Sequence, residues 1–264
     1  MREYFDHKIA VITGAASGIG LAVAELLLEN GATVFMADIN AEDLHKNAER
    51  LNALHSGKAR PVVTDVTKGE QVKALVEQAA SFEGHLDFLF NNAGIGMTIP
   101  YEQVTLEMWK FAIDINLWSV IYGIDAALPI MRRQGYGHIV NTSSIAGVVA
   151  PPFQAVYSAT KFAVTGITQG LRYEMWDENV RFTAVCPGNV ATNIFKDIPI
   201  PENAVPVDEA ARIILAGACR NENLIIFPDD CKKLSNLPDE ELEAFLIQMS
   251  RERHENYRAK GTYL

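Results

Sequence analysis

Hydrophobic positions along this chain fall into two alternating patterns. Short runs rich in β-branched or other apolar residues lie at 8–13, 33–37, 59–64, 86–90, 137–142, 181–186 and 224–227, the first of them nearly continuous. Such runs mark strands covered on both faces. Between them, stretches at 21–28, 41–54, 69–82, 105–134, 155–177 and 207–219 repeat apolar residues every three or four positions, as helices with one buried face do. Strand and helix alternate strictly. That order predicts an α/β fold, a doubly wound parallel sheet of about seven strands with helices on both faces. No Pro/Gly/Ser-rich or single-charge stretch divides the chain, and no repeat of solenoid length is present, so a single domain is expected over 1–264.

Composition changes this picture little. With 48% hydrophobic and 21% charged residues, the chain can build one large core. Its net charge of -10 opposes nucleic acid, so no such partner is expected. Residues 1–8 lack an apolar segment of signal-peptide length, and no apolar run is expected to cross a bilayer. Cys186, Cys219 and Cys231 are widely spaced and make no metal-ligand pattern. Reduced thiols, a cytoplasmic location and no metal site are the expectations.

Candidate chemistry gathers where strands end. The first strand runs into Gly14-Ala15-Ala16-Ser17-Gly18-Ile19-Gly20 and then a helix. Glycines let the backbone approach a pyrophosphate, and the helix N-terminus offers it free N–H groups. The second strand ends at Asp38, about 20 residues past the loop, where an acid can accept from an adenosine ribose. Neither Ser17 nor Ile39 supplies a cation for a 2'-phosphate, so NAD is favoured over NADP. Asp38 could instead cap the helix near Ala41, a task Asn40 performs as well. Asp65-Val66, Asn91-Asn92-Ala93-Gly94, Ser143-Ser144 and Pro187-Gly188-Asn189-Val190-Ala191-Thr192 follow later strands. Ligands on such sheets bind beyond those ends. Asn116 falls inside a predicted helix, where asparagine is unfavourable; it bends the helix, binds something or is a tolerated surface residue. Tyr157 and Lys161 are four residues apart on one helical face.

Taken together, TGAASGIG at 13–20, NNAG at 91–94, Asn116, Ser144, YSATK at 157–161, Asp65-Val66 and PGNVAT at 187–192 resemble the short-chain dehydrogenase/reductase family in its single-domain, NAD-dependent branch. The pieces run in the family's order over 8–195. The resemblance implies a Rossmann-type fold, a small-molecule alcohol or ketone substrate, and a homodimer or homotetramer. It implies catalytic roles for Asn116, Ser144, Tyr157 and Lys161: Tyr157 as general acid/base, Lys161 lowering its pKa and binding the nicotinamide ribose, Ser144 holding the substrate oxygen, and Asn116 anchoring a water. It implies cofactor contacts at Gly14, Ser17, Gly18, Ile19, Gly20, Asp38, Ile39, Asp65, Val66, Asn92, Tyr157, Lys161, Val190 and Thr192. The spacing to Tyr157 favours Ser144 over its neighbour Ser143. The physics agrees with the central role. Bringing a phenol from pKa ~10 to ~7 needs about 4 kcal/mol, and one positive charge at about 4 Å supplies that at an effective dielectric near 20.

Past Thr192 the pattern thins. The proline-rich loop 193–206 is expected to be a substrate lid, and Ile194, Phe195, Ile198 and Ile200, with Ile95, Met97, Ile145 and Phe153, suggest a lipophilic, steroid-like or long-chain substrate. The segment 229–264 is expected to be an extra helical tail, with a stripe of Leu242, Phe245, Leu246 and Met249 before Arg251, Arg253, Arg258 and Lys260. It would pack over the substrate entrance or a neighbouring subunit. The interleaved Glu252 and Glu255 weigh against membrane contact. A non-catalytic NAD(H)-sensing protein, or an epimerase or dehydratase on the same fold, is the alternative.

Overall fold

The computed structural model describes residues 1–192, 200–261 and 263. Its centre is a parallel sheet of β1 (Ile9–Thr13), β2 (Thr33–Asp38), β3 (Ala59–Val63), β4 (Phe88–Asn91), β5 (Gly137–Thr142), β6 (Val180–Pro187) and β7 (Leu224–Phe227). The strand order is β3-β2-β1-β4-β5-β6-β7, so the winding reverses between β1 and β4. That reversal opens a crevice at the strand C-termini.

The helices are α1 (Arg2–Phe5), α2 (Gly18–Glu29), α3 (Ala41–His55), α4 (Gly69–Glu83), α5 (Leu106–Ile113), α6 (Ser119–Gln134), α7 (Ala155–Glu174), α8 (Val207–Cys219), α9 (Asp229–Leu234) and α10 (Asp239–Lys260). Successive strand residues point to opposite faces, which divides the core in two. Ala10, Ile12, Val34 and Met36 pack with residues of α2, α3 and α8. Ile9, Val11, Phe35 and Ala37 pack with residues of α4, α6 and α7. All five β1 residues are buried, which explains why that run shows no polar alternation. The fold is the single-domain, doubly wound α/β architecture expected from the alternating pattern.

Some boundaries move. The fourth strand starts at Phe88 rather than residue 86, because the Leu86 N–H donates to the Gln134 side chain at 3.2 Å. The helix expected over 155–177 stops at Glu174. The expected helix at 105–134 is α5 and α6 joined by a π-helical turn, Asp114–Trp118. This stretch also corrects the membrane expectation: Leu106–Gln134 is long and apolar enough to span a bilayer by length and composition. Its apolar residues have another use, since Val120, Ile124, Ala127 and Met131 fill the core beneath the sheet. The part of the expected lid at 193–199, with Ile194, Phe195 and Ile198, lies outside the described residues.

Candidate active site

The glycine loop starts from a hydroxyl. Thr13, the last residue of β1, accepts at Oγ1 from the Asn92 and Ala93 N–H groups, at 3.0 and 3.1 Å. The Asn92 amide returns a bond to the Thr13 carbonyl at 3.1 Å. The ends of β1 and β4 are thereby fixed together, and Gly14 sits between them. A Cβ on Gly14 would lie 2.9 Å from Ala93 Cα, and one on Gly20 would lie 2.2 Å from the Gly14 carbonyl oxygen. Gly14 and Gly18 have φ of 68° and 57°, a conformation that favours glycine. Ser17 occupies the N-cap of α2 without making a side-chain cap, and Ile19 is half-buried in the first turn. A close-packed, glycine-only cradle leading into a helix N-terminus fits the pyrophosphate of a dinucleotide.

Asp38 bridges this loop to β2. Its carboxylate accepts from the Ala16 N–H at 3.0 Å and from the Asn40 N–H at 2.9 Å. Asn40 caps α3 by accepting from the Asp43 N–H, so the choice left open by the sequence falls to Asn40. Two of the carboxylate's roughly four lone-pair sites are used, which leaves acceptor capacity for ribose hydroxyls. Ile39 beside it is 69% exposed. Asp65 turns Oδ1 onto the Thr67 N–H and hydroxyl, at 2.9 and 2.7 Å, and these bonds hold its carboxyl below the usual range. Val66 is half-buried next to it.

At the other end of the crevice, β5 delivers Ser143 and Ser144 in opposite directions. The Ser143 hydroxyl donates to the Lys161 carbonyl at 2.9 Å and meets the Thr165 hydroxyl at 2.8 Å, so it faces the body of α7. Ser144 Oγ accepts from the Ala146 N–H at 3.1 Å and is hydrogen-bonded to Tyr157. Lys161 is buried, with Nζ donating to the Thr142 carbonyl at 2.8 Å and lying 5.7 Å from the centroid of the Tyr157 ring. Burial pushes its pKa down to about 8. Burial likewise raises the Tyr157 hydroxyl above 10.0, and the bond from Ser144 opposes that rise. The attraction of Lys161 for a phenolate is therefore opposed by the desolvation that the same enclosure imposes on both groups.

Asn116 is buried in the π-helical turn. Its Oδ1 accepts from the Ile95 N–H at 2.8 Å, and its Nδ2 donates to the Ile95 carbonyl at 3.0 Å and to Thr160 Oγ1 at 3.3 Å. It therefore ties the loop after β4 to α7, and of the sequence alternatives the surface role is excluded. Gly94 lies against this group: a Cβ there would be 3.1 Å from Asn116 Oδ1 and 3.4 Å from Lys161 Nζ. On the far side, Val190 pairs as a bridge with Val205, and the Thr192 methyl lies 3.2 Å from where a Gly18 Cβ would be. The predicted residues thus converge along one crevice, from Asp65 and Asp38 to Tyr157. Thr13, Thr160 and Ser143 support the site without having been singled out for roles. Thr13 and Thr160 lie in the TGAASGIG and YSATK stretches, and Ser143 is the neighbour that spacing set aside in favour of Ser144.

No cluster of three or more His, Cys, Asp or Glu suited to a metal exists among the described residues. The family profile described as "short chain dehydrogenase" matches residues 8–203. An uncharacterized oxidoreductase of Staphylococcus saprophyticus subsp. saprophyticus is 41% identical over 204 residues, covering 76% of this chain and 82% of the relative. One from Listeria monocytogenes is 42% identical over 194 residues, covering 73% and 78%. Among solved structures, a short chain dehydrogenase/reductase from Burkholderia phymatum in complex with NAD superposes with a TM-score of 0.83 at 29% identity, covering 91% of this chain and 95% of its own. An alcohol dehydrogenase from the archaeon Thermococcus sibiricus complexed with 5-hydroxy-NADP gives 0.76 at 26%, covering 84% and 96%. With the glycine cradle, the Ser144–Tyr157 pair and Lys161 all in one crevice, this chain belongs to the short-chain dehydrogenase/reductase family of oxidoreductases.

Proposed function

We propose that the enzyme uses NAD(H) to interconvert a secondary alcohol and a ketone, with Tyr157 as general acid and base. The observation that carries this reading is the contact between the Tyr157 and Ser144 hydroxyls beside the Lys161 ammonium. The nicotinamide supplies the hydride when bound. Tyr157 holds the proton that the substrate oxygen gains or loses, and Ser144 donates to that oxygen as charge develops on it. Lys161, with a pKa of about 8, keeps its charge at neutral pH and favours the phenolate. Asn116 fixes the loop at Ile95 and ties it to Thr160 on α7.

Gly14, Ser17, Gly18, Ile19 and Gly20 would hold the pyrophosphate. Asp38 would accept from the adenosine ribose with Ile39 against it, and Asp65 and Val66 would meet the adenine. Asn92, Val190 and Thr192 would flank the nicotinamide, and Tyr157 and Lys161 its ribose. The charge of Asp38 argues for NAD over NADP, since it repels a 2'-phosphate. Ile95, Met97, Ile145 and Phe153 favour a lipophilic substrate. Exposed Phe111, Trp118 and Phe162 on α5, the π turn and α7 favour a homodimer or homotetramer, and the free Cys186, Cys219 and Cys231 fit the reducing cytoplasm. The test is NADH absorbance with a panel of ketones. Consumption of NADH is expected with apolar ketones. Tight NADH binding without turnover would instead identify a sensing protein, and conversion with no net NADH change an epimerase or dehydratase.

A further inference from the structure

Phe153 is held in an unusual state. It is a non-glycine residue with φ of 64°, two residues before α7 begins. Such a backbone persists only where its surroundings over-determine it. Its carbonyl accepts from the Ile99 N–H at 2.8 Å, and Gln154 Nε2 donates to Thr98 Oγ1 at 2.9 Å. Loops 95–99 and 150–154 are therefore locked together, and the second leads directly into the helix turn that carries Tyr157.

The groups that hold the Phe153 side chain come from the end of the chain. The ring meets His254 edge-on at 4.8 Å and stacks on Tyr263 at 4.6 Å. Tyr263 stacks in turn on Tyr257 at 4.3 Å, with the rings 9° from parallel. One turn away, the Arg253 guanidinium donates to the Pro152 carbonyl at 2.5 Å, and among the described residues no carboxylate pairs with it. Leu242, Leu246, Met249 and Arg253 form the half-buried face of α10, while Phe245 points outward and is 42% exposed. The inward face follows helical spacing and runs along the loop rather than along the sheet.

We propose that the C-terminal segment is a specificity-determining part of the substrate site, in which His254 and Tyr263 are positioning residues. They hold Phe153, and through it the two loops that present Ile95, Met97 and Phe153 to the substrate. The kinetic side of this inference rests on the oxidoreductase reading above; the structural side does not. Neither residue touches the dinucleotide cradle, so cofactor affinity stays outside their influence.

The test is a full-length His254→Ala/Tyr263→Ala variant, followed by hydrogen exchange and by kinetics. Amides in 95–99 and 150–154 are expected to exchange about tenfold faster, since the locked loops open more often. KM for a bulky ketone is expected to rise about fivefold with kcat within about twofold, the pattern of lost uniform binding. The Kd for NADH stays unchanged, and Tyr263→Phe, which keeps the stacked ring, behaves as the unsubstituted protein. Unchanged exchange in both loops would overturn the inference. So would faster exchange accompanied by equal losses in NADH affinity and kcat, because that describes general loosening. If the unsubstituted protein turns over no carbonyl compound, the oxidoreductase reading fails, and the exchange result alone decides whether the tail holds the loops.

Discussion

The two ends of the crevice are built on different principles. At the Asp38 and Asp65 end, each carboxylate is satisfied by backbone or hydroxyl groups of neighbouring turns, and the surroundings are open enough that Ile39 is 69% exposed. At the Tyr157 end, several polar groups find partners on distant segments: Lys161 on Thr142, Asn116 on Ile95, and Ser143 on α7. The first end keeps carboxylate oxygens within reach of solvent. The second shifts protonation, with Lys161 pushed to about 8 and Tyr157 held above its usual value. Recognition needs exposed acceptors, whereas proton transfer needs desolvated groups in fixed geometry.

Substitutions at the two ends should therefore differ in kind. The largest effect is expected from Tyr157→Phe, which removes the proposed acid/base and should lower kcat about 1,000-fold while NADH affinity by fluorescence changes less than about threefold. Surviving turnover would place the acid elsewhere. Ser144→Ala should cost about 100-fold in kcat through loss of a donor to the developing oxyanion. A loss confined to KM would contradict that role. At the opposite end, Asp38→Asn keeps an oxygen for the Ala16 N–H but removes the charge. It should weaken NADH binding about tenfold and narrow the preference over NADPH, with kcat at saturation little changed. An equal loss for both coenzymes would mean that Asp38 serves only the loop.

A separate effect concerns stability outside both ends. His138 is buried on β5, and burial, with the charges of Arg181 and Arg172, pushes its pKa down to about 3. Its folded pKa lies below the unfolded value of 6.5, so its neutral form supports folding fully above pH 6.5. That support is lost as pH falls from there towards about 3, at up to about 1.4 kcal/mol per pH unit. Urea titrations at several pH values should show the slope, and His138→Gln should flatten it. A wild-type slope that survives the substitution would assign it to other groups.

Much of the Asp38 end was legible because its residue types follow from local turn chemistry. Gly14, Gly18 and Asp38 reveal themselves by turn chemistry and position after a strand. Ser144 could be separated from Ser143 only by spacing, and the structure adds the reason: alternation along the β5 exit sends one hydroxyl to Tyr157 and the other into α7. The role of Thr160 was invisible, because its partner Asn116 is distant in sequence and the link depends on the π turn. The apolar character of Leu106–Gln134 was also underestimated, since an apolar helix under a sheet and one in a bilayer share a composition.

The sequence by itself determined the alternation of elements, the parallel sheet and the residue types gathered at the strand ends, because hydrophobic period and turn chemistry act over a few residues. Only the tertiary structure decided that burial raises the Tyr157 pKa and lowers that of Lys161, and that the C-terminal aromatics close on Phe153. Those outcomes depend on desolvation and on contacts between distant segments, and neither is encoded in local spacing.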